Sequence, residues 1–455
     1  MNKLRTGYHK VNINPPLNIG MAGYFIPRFA QGYLDDICAS AFVLECDGER
    51  VVILSVDACM LESPLVARYC KAIEAATGVP ADRIFLSNTH THTGPLFTPT
   101  DMFEAPEEPV HKYADFVQER LVDAVKLALA DLVPTRMGYA VGTAPERVAY
   151  IRRYRMKDGS TMTCPPINDP DIVGPIGELD QRVNVLRFDR EGRKPFILVN
   201  YGVHVDTVNG DILSADWPYW MEKTLDLALE GANAMFICGA QGDVGSTHVN
   251  PDSADMNDTE ISFDNEMKSP GMARFVGRAI AGTVLQVYDK VYYTDVDSIH
   301  MLTKTVPVRL NVPAPEEVPL AKKYKELHEA GRDCDIPYTA MELTTVVAEA
   351  LRICKYENSP EFLDLNMLGL RLGPVALVGI PGEPFTEIGV KIKDEPHGFA
   401  LVLPCALTNG YEGYFPVKSA FDEGGYEARS SRYKSGVAET IVEGGKQIVA
   451  ELAKG

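Results

Sequence analysis

An α/β fold is predicted by three stretches of this 455-residue sequence, each of which reads strand, helix, strand. The first has a buried apolar strand at 51–58, an amphipathic helix at 64–76 and a second strand at 83–88. The second has a strand at 196–202, a helix at 218–229 opened by Pro218, and a strand at 234–239. The third has a strand at 375–380, a helix at 385–393 and a strand at 400–404. Strands joined through a helix pair in parallel, so largely parallel pairing is expected inside each unit.

Each unit ends its strands in polar residues. The first gives His90 and His92, the second His204 and then Gln241-Gly242-Asp243, the third Glu383 and then Tyr411 to Tyr414. In open α/β sheets ligands bind beyond the carboxyl ends of the strands. Side chains hundreds of positions apart are therefore expected to meet at one place.

The other elements read as scaffold. Apolar residues at 113, 116, 117, 121, 124, 125, 128 and 132 form the stripe of a long surface helix over 110–132, closed by Pro134. A similar helix covers 272–288. A highly charged helix at 315–332 pairs with 339–353 as an antiparallel helical insertion at about 315–355, to which no catalytic role is assigned. No linker rich in Gly, Pro or Ser interrupts the chain, so 1–455 is read as a single domain.

Hydrophobic content of 45% promises a substantial core. Lys and Arg total 44 against 63 Asp and Glu, and the resulting net charge of -19 argues against nucleic acid and anionic membrane as partners. The N-terminus lacks a signal-peptide core, and no apolar run approaches the roughly 18 residues of a membrane span. The expected location is cytoplasmic. The 9 cysteines are odd in number, scattered and free of any CxxC, as expected of reduced buried thiols rather than a disulfide framework or a cysteine-ligated zinc. The oligomeric state is left open.

The chemistry centres on Thr89-His90-Thr91-His92, which ends the apolar strand at 83–88 and runs into Thr93-Gly94-Pro95. If the strand's period of two persists, the two imidazoles point to opposite sides, one toward a metal and one toward a substrate. A catalytic zinc needs about three N or O ligands and an open position. His90, His204 and Glu383, each just past a predicted strand, are the candidates. Glu383 follows Gly379-Ile380-Pro381-Gly382, whose glycines allow close backbone approach. Asp206, two residues beyond His204, is expected to accept a hydrogen bond from it.

With these residues in view, the sequence resembles the neutral (non-lysosomal) ceramidases, zinc-dependent amidases. Ser87 to Pro95 is similar to their THTHSGP signature, Gly20-Met21-Ala22-Gly23-Tyr24 and Ala39 to Leu44 to their MxGY and RAF segments, and Gly239 to Val244 to their QGDV loop. Gly382-Glu383 resembles the metal-binding glutamate. Tyr414 and Tyr426, followed by Glu427-Ala428-Arg429-Ser430-Ser431, resemble the final tyrosine pair and tail. The resemblance implies a ceramidase-type catalytic domain with a multi-layer mixed sheet and a Zn2+ ion held by His90, His204, Glu383 and Tyr414. It implies that His92 contacts the reacting carbonyl, that Tyr426 helps stabilise the oxyanion, and that Arg153, favoured over Arg152, is the active-site arginine.

The departures shape the expected function. No export signal and no C-terminal β-sandwich are expected, the segment Gly242 to Pro251 displaces the family's serine so that Ser246 is not expected to inherit its role, and no arginine precedes Ala41-Phe42. Asn209, Asp211, Asp216, His248 and Arg429 are expected to give the pocket a polar lining. The expectation is a zinc amidase in which zinc-bound hydroxide attacks the amide of a soluble small molecule, not a membrane sphingolipid. A zinc esterase or lactonase and a non-catalytic binding protein are the alternatives. A two-metal phosphatase would have to draw on Asp57, Asp206, Asp216 and Asp243, which follow no recognisable order.

Overall fold

A computed structural model describes residues 3–100 and 102–454. Strands β1 (Arg5–Asn12), β2 (Cys38–Cys46), β3 (Glu49–Val56), β4 (Ile84–Asn88), β5 (Val133–Thr143), β6 (Arg182–Arg190), β7 (Phe196–Tyr201), β8 (Asn233–Cys238) and β9 (Tyr292–Thr294) form a nine-stranded sheet. Their order is β8-β7-β6-β5-β1-β2-β3-β4, with β9 beside β5. A four-stranded sheet has the order β10 (Ile299–Arg309), β11 (Phe362–Leu372), β12 (Val375–Gly379), β13 (Leu401–Cys405). The principal helices are α1 (Ser63–Thr77), α2 (Glu107–Ala130), α3 (Asp216–Ala228), α4 (Pro270–Tyr288), α5 (Val318–Glu329), α6 (Ala340–Tyr356), α7 (Thr386–Lys393), α8 (Lys418–Glu423), α9 (Tyr426–Ser430) and α10 (Val437–Leu452).

Parallel pairing occurs inside the three units read from the sequence, as β3 with β4, β7 with β8 and β12 with β13. The other ladders of the two sheets are antiparallel. Each parallel pair therefore sits at a sheet margin, with its crossover helix on the outer face.

Alternation along the strands builds four layers. In β2, Ala41 and Val43 pack outward under α1 and α2, whereas Phe42 and Leu44 face the second sheet. In β7, Ile197 and Val199 pack under α3 and α4 while Phe196 and Leu198 face inward. In β12, Leu377 joins the same central core, and Ala376 and Val378 pack under α7 and α10. Strands buried on both faces read as continuous apolar runs, the signal that marked β3, β4, β7, β8, β12 and β13 in the sequence.

The two margins of the large sheet come together. Ser55 Oγ on β3 donates to Phe236 O on β8 at 2.7 Å. The segment after β13 bridges what remains, with Ala406 N donating to Cys238 O at 2.9 Å and Asn409 N to Leu86 O at 2.8 Å. The carboxyl ends of β4, β7 and β12 are thereby brought to one place.

Trp217, fully buried at the start of α3, packs edge-on against Phe236 with ring centroids 4.5 Å apart and donates Nε1 to His204 O at 3.1 Å. Trp217→Ala is expected to destabilise the fold by about 3–5 kcal/mol, measurable as a lower urea midpoint. Among the described residues no helix is long and apolar enough to cross a membrane.

Candidate active site

The chain leaves β4 at Asn88 and turns sharply, with His90 at φ 71°, the left-handed region that few non-glycine residues adopt. His90 N donates to Ala58 O at 2.8 Å, and its Nδ1 to Cys59 O at 2.7 Å, which leaves Nε2 as the free nitrogen. That Nε2 lies 3.1 Å from Glu383 Oε2. His204, just past β7, is oriented in the same way: its Nδ1 faces Gln241 O at 3.0 Å and Val244 O at 2.9 Å, and its Nε2 lies 3.2 Å from the same Glu383 oxygen. Glu383 comes from the other sheet, just past β12, and its Oε1 accepts a hydrogen bond from Tyr411 at 3.0 Å. A short parallel bridge pairs Glu383 with Tyr414.

These donors form a buried set. Ligand atoms of His90, His204 and Glu383 all lie within 4.8 Å of one another, and the three residues are at most 2% exposed. Among the described residues, His204 Nε2 and Glu383 Oε2 make no hydrogen bond. A buried polar atom without a partner is rare, and two such atoms aimed at one point fit a cation. Two imidazoles and a carboxylate match the N and O donors of a catalytic zinc site. Burial and the Arg152 guanidinium pull His204 down to about 4, so it is neutral, as a ligand must be. Burial alone would raise Glu383, but His90 and His204 hold it well below the usual carboxylate range.

Beside this set is a narrow cavity of 50 Å³ lined by His92, Arg152, Tyr414, Tyr426, Asp206 and Glu266, among others. Arg152 donates to Tyr414 Oη at 3.0 Å, to Gly242 O at 2.9 Å and to Glu427 at 2.7 Å. The Tyr414 and Tyr426 rings meet edge to face at 5.6 Å. Burial and then Glu383 raise both phenols, which keeps Tyr426 a protonated donor. A larger groove of 410 Å³ adjoins the cavity at Phe25 and is lined by Met60, Leu96, Phe97 and Tyr411.

No protein-family model matches the sequence. Among solved structures the chain is similar to the neutral ceramidase from Pseudomonas aeruginosa, with a TM-score of 0.73 and 18% identity over 100% of this chain and 75% of that one. It is similar also to a ceramidase complexed with C2, with a TM-score of 0.72 and 18% identity over the same shares. The fold is that of neutral ceramidase.

On this ceramidase fold several expected placements need correcting. His90 and His92 do not point to opposite sides: the strand has ended and the left-handed turn at His90 breaks the alternation, so the rings meet at 4.7 Å with their Nε2 atoms 3.3 Å apart. Asp206 does not serve His204. It lies 3.4 Å from His92 Nδ1 instead, because 202–206 is turn rather than strand and side-chain period two does not apply. The arginine that reaches the cavity is Arg152, not Arg153. Arg153 bonds to Glu423 and Gly424 O, and its Nε lies 3.8 Å from Glu427, the carboxylate that Arg152 also binds.

The expected polar lining is also different. Asp216 is tied into the start of α3 by the backbone of Thr207 and Val208, Arg429 pairs with Glu349, His248 stacks on Tyr150, and Asp211 is exposed. Neither these residues nor Asn209 line the cavity. Ser246 lies in a separate cavity of 330 Å³. Of the helical pair α5 and α6, read as scaffold, α6 walls the site: it supplies Met341 and Thr344 to the cavity and Leu351 to the groove.

Sequence reasoning missed Tyr24, Tyr411, Asp264, Glu266 and Lys268. Tyr24 lay inside a quoted motif and Tyr411 inside a strand-end run, but neither position announces its partner. The acidic residues and Lys268 lie in a polar loop with no periodic signal.

Proposed function

We propose that this protein is a zinc-dependent hydrolase that cleaves the carbon–nitrogen bond of a small soluble amide. The observation that carries the reading is the convergence of His90 Nε2, His204 Nε2 and a Glu383 oxygen on one buried point, with two of the three atoms lacking hydrogen bonds. The ceramidase fold supports it. His90, His204 and Glu383 would hold the ion, with Tyr414 beside Glu383 as the fourth ligand. When bound, zinc supplies Lewis acidity that polarises a carbonyl and acidifies water.

The chain's own groups do the rest. The protonated phenol of Tyr426 and the guanidinium of Arg152 line the cavity as donors toward the charge that develops on the carbonyl oxygen. Burial, against the opposing pull of Asp206, holds His92 well below the usual imidazole value, so the ring is neutral. With Nδ1 toward Asp206, its Nε2 is the basic nitrogen, placed to take a proton from water and pass it to the departing amine. The cavity of 50 Å³ takes only a compact group at the reacting centre, and the adjoining groove of 410 Å³, with Met60, Leu96 and Phe97 on its wall, has room for the rest of a small amide.

The test is amine release from a panel of short N-acyl amides, with matched esters alongside. Zinc-loaded protein is expected to carry one ion per chain, to lose turnover on chelation and to regain it with Zn2+. Hydrolysis that persists unchanged after removal of the metal overturns the reading.

A further inference from the structure

One wall of the cavity gathers Asp206, Asp264 and Glu266, whose oxygens lie within 4.8 Å of one another. Such a group suits a divalent cation. Its centre is filled by the chain itself. Lys268 Nζ lies 2.9 Å from Asp206 Oδ2, 3.0 Å from Asp264 Oδ2 and 2.8 Å from Glu266 Oε2, and the side chain is 0% exposed. A short hairpin, Glu260–Ile261 against Met267–Lys268, delivers it there. The place a cation would take among these carboxylates is occupied by an ammonium group.

Asp206 is the carboxylate that links this cluster to the proposed chemistry. Its Oδ1 accepts from the Tyr24 hydroxyl, and its Oδ2 accepts from Lys268 and lies 3.4 Å from His92 Nδ1. His92 Nδ1 makes no other polar contact, so the ring's orientation depends on where this carboxylate is held, together with an edge-on contact to Tyr24 at 5.6 Å. Without Lys268, Asp206 would face the Asp264 and Glu266 carboxylates with no cation between them to hold it in place.

We infer that Lys268 is a positioning residue: standing in for a second cation, it fixes Asp206 and thereby sets the His92 ring toward the substrate. The inference rests on the hydrolase reading for its kinetic consequence but not for its geometry.

Both are tested by Lys268→Met and Lys268→Arg. Lys268→Met is expected to lower kcat roughly 10²-fold, the order of a general acid–base contribution, with KM little changed and one zinc per chain retained, and Lys268→Arg is expected to recover part of the loss. Independently of activity, diethyl pyrocarbonate labelling mapped by mass spectrometry is expected to modify His92 several-fold faster in Lys268→Met. His328, held between Asp333 and Met102 O, serves as the unchanged control. If Lys268→Met does not fold, Asp206→Asn takes its place, since it keeps the shape and removes the charge. Wild-type labelling of His92 in a folded variant overturns the inference whatever the activity. Faster labelling in a protein whose wild type cleaves no amide upholds the positioning and overturns the hydrolase reading.

Discussion

His90→Ala is expected to leave the protein without bound zinc and to lower amide hydrolysis by roughly 10³-fold or more, because a polarising ion supplies several kcal/mol and about 1.4 kcal/mol is tenfold in rate. The substitution removes one of three converging donors and leaves Glu383 Oε2 facing a single imidazole. It also places alanine at φ 71°, which asparagine tolerates better. His90→Asn therefore separates the two effects: it retains the turn and loses the imidazole. Elemental analysis and amine release on both variants check the prediction. Full metal content and full turnover in a folded variant would remove His90 from the ligand set.

Gly242→Ala is expected to damage the site from the backbone side, with a loss of about 10²-fold in turnover, the effect of misplacing a reacting geometry by about 1 Å. A methyl group at Gly242 would lie 2.6 Å from Glu383 O and 3.2 Å from a Phe385 ring carbon. Backbone cannot swing aside as a flexible side chain can, so either the 241–243 loop or the Glu383 strand must move. The loop also carries Gly242 O, which accepts from Arg152, and Gln241 O, which faces His204 Nδ1. Overpacking of this kind destabilises by about 1–3 kcal/mol. The checks are kcat, zinc affinity by competition with a chelator, and thermal midpoint. Wild-type values for all three would show that the contact relaxes without consequence.

The three strand-helix-strand units were legible because strands covered on both faces write themselves as short apolar runs separated by amphipathic helices. The seven antiparallel strands β1, β2, β5, β6, β9, β10 and β11 left no comparable mark. Several are buried on one face or bordered by turns, as in β5, where buried and exposed residues intermix. The ligand candidates stood out as His and Glu at strand ends, where polar residues of those types are unusual. What could not be read was direction. His90 turns through a left-handed backbone, Asp206 sits past the end of a strand, and Arg152 stands in the break between Tyr150–Ile151 and Arg153–Met156, so each side chain points where no period dictates. Arg152 and Arg153 both reach the Glu427 carboxylate, so the choice between them is made by the tertiary structure. Lys268 was invisible for another reason: its carboxylate partners Asp206, Asp264 and Glu266 are chosen by tertiary packing, not by spacing.

The two imidazoles follow strands of the nine-stranded sheet, and the carboxylate follows a strand of the four-stranded one. An ion bound by all three is therefore a clasp across the central apolar layer, and separation of the sheets must release it. Its binding free energy adds to the stability of the sheet-to-sheet interface by mass action. Hydrogen exchange in β12 and α7 would then be slowed by the ion as well as by the hydrophobic layer, and the candidate site and the architecture would open as one cooperative unit.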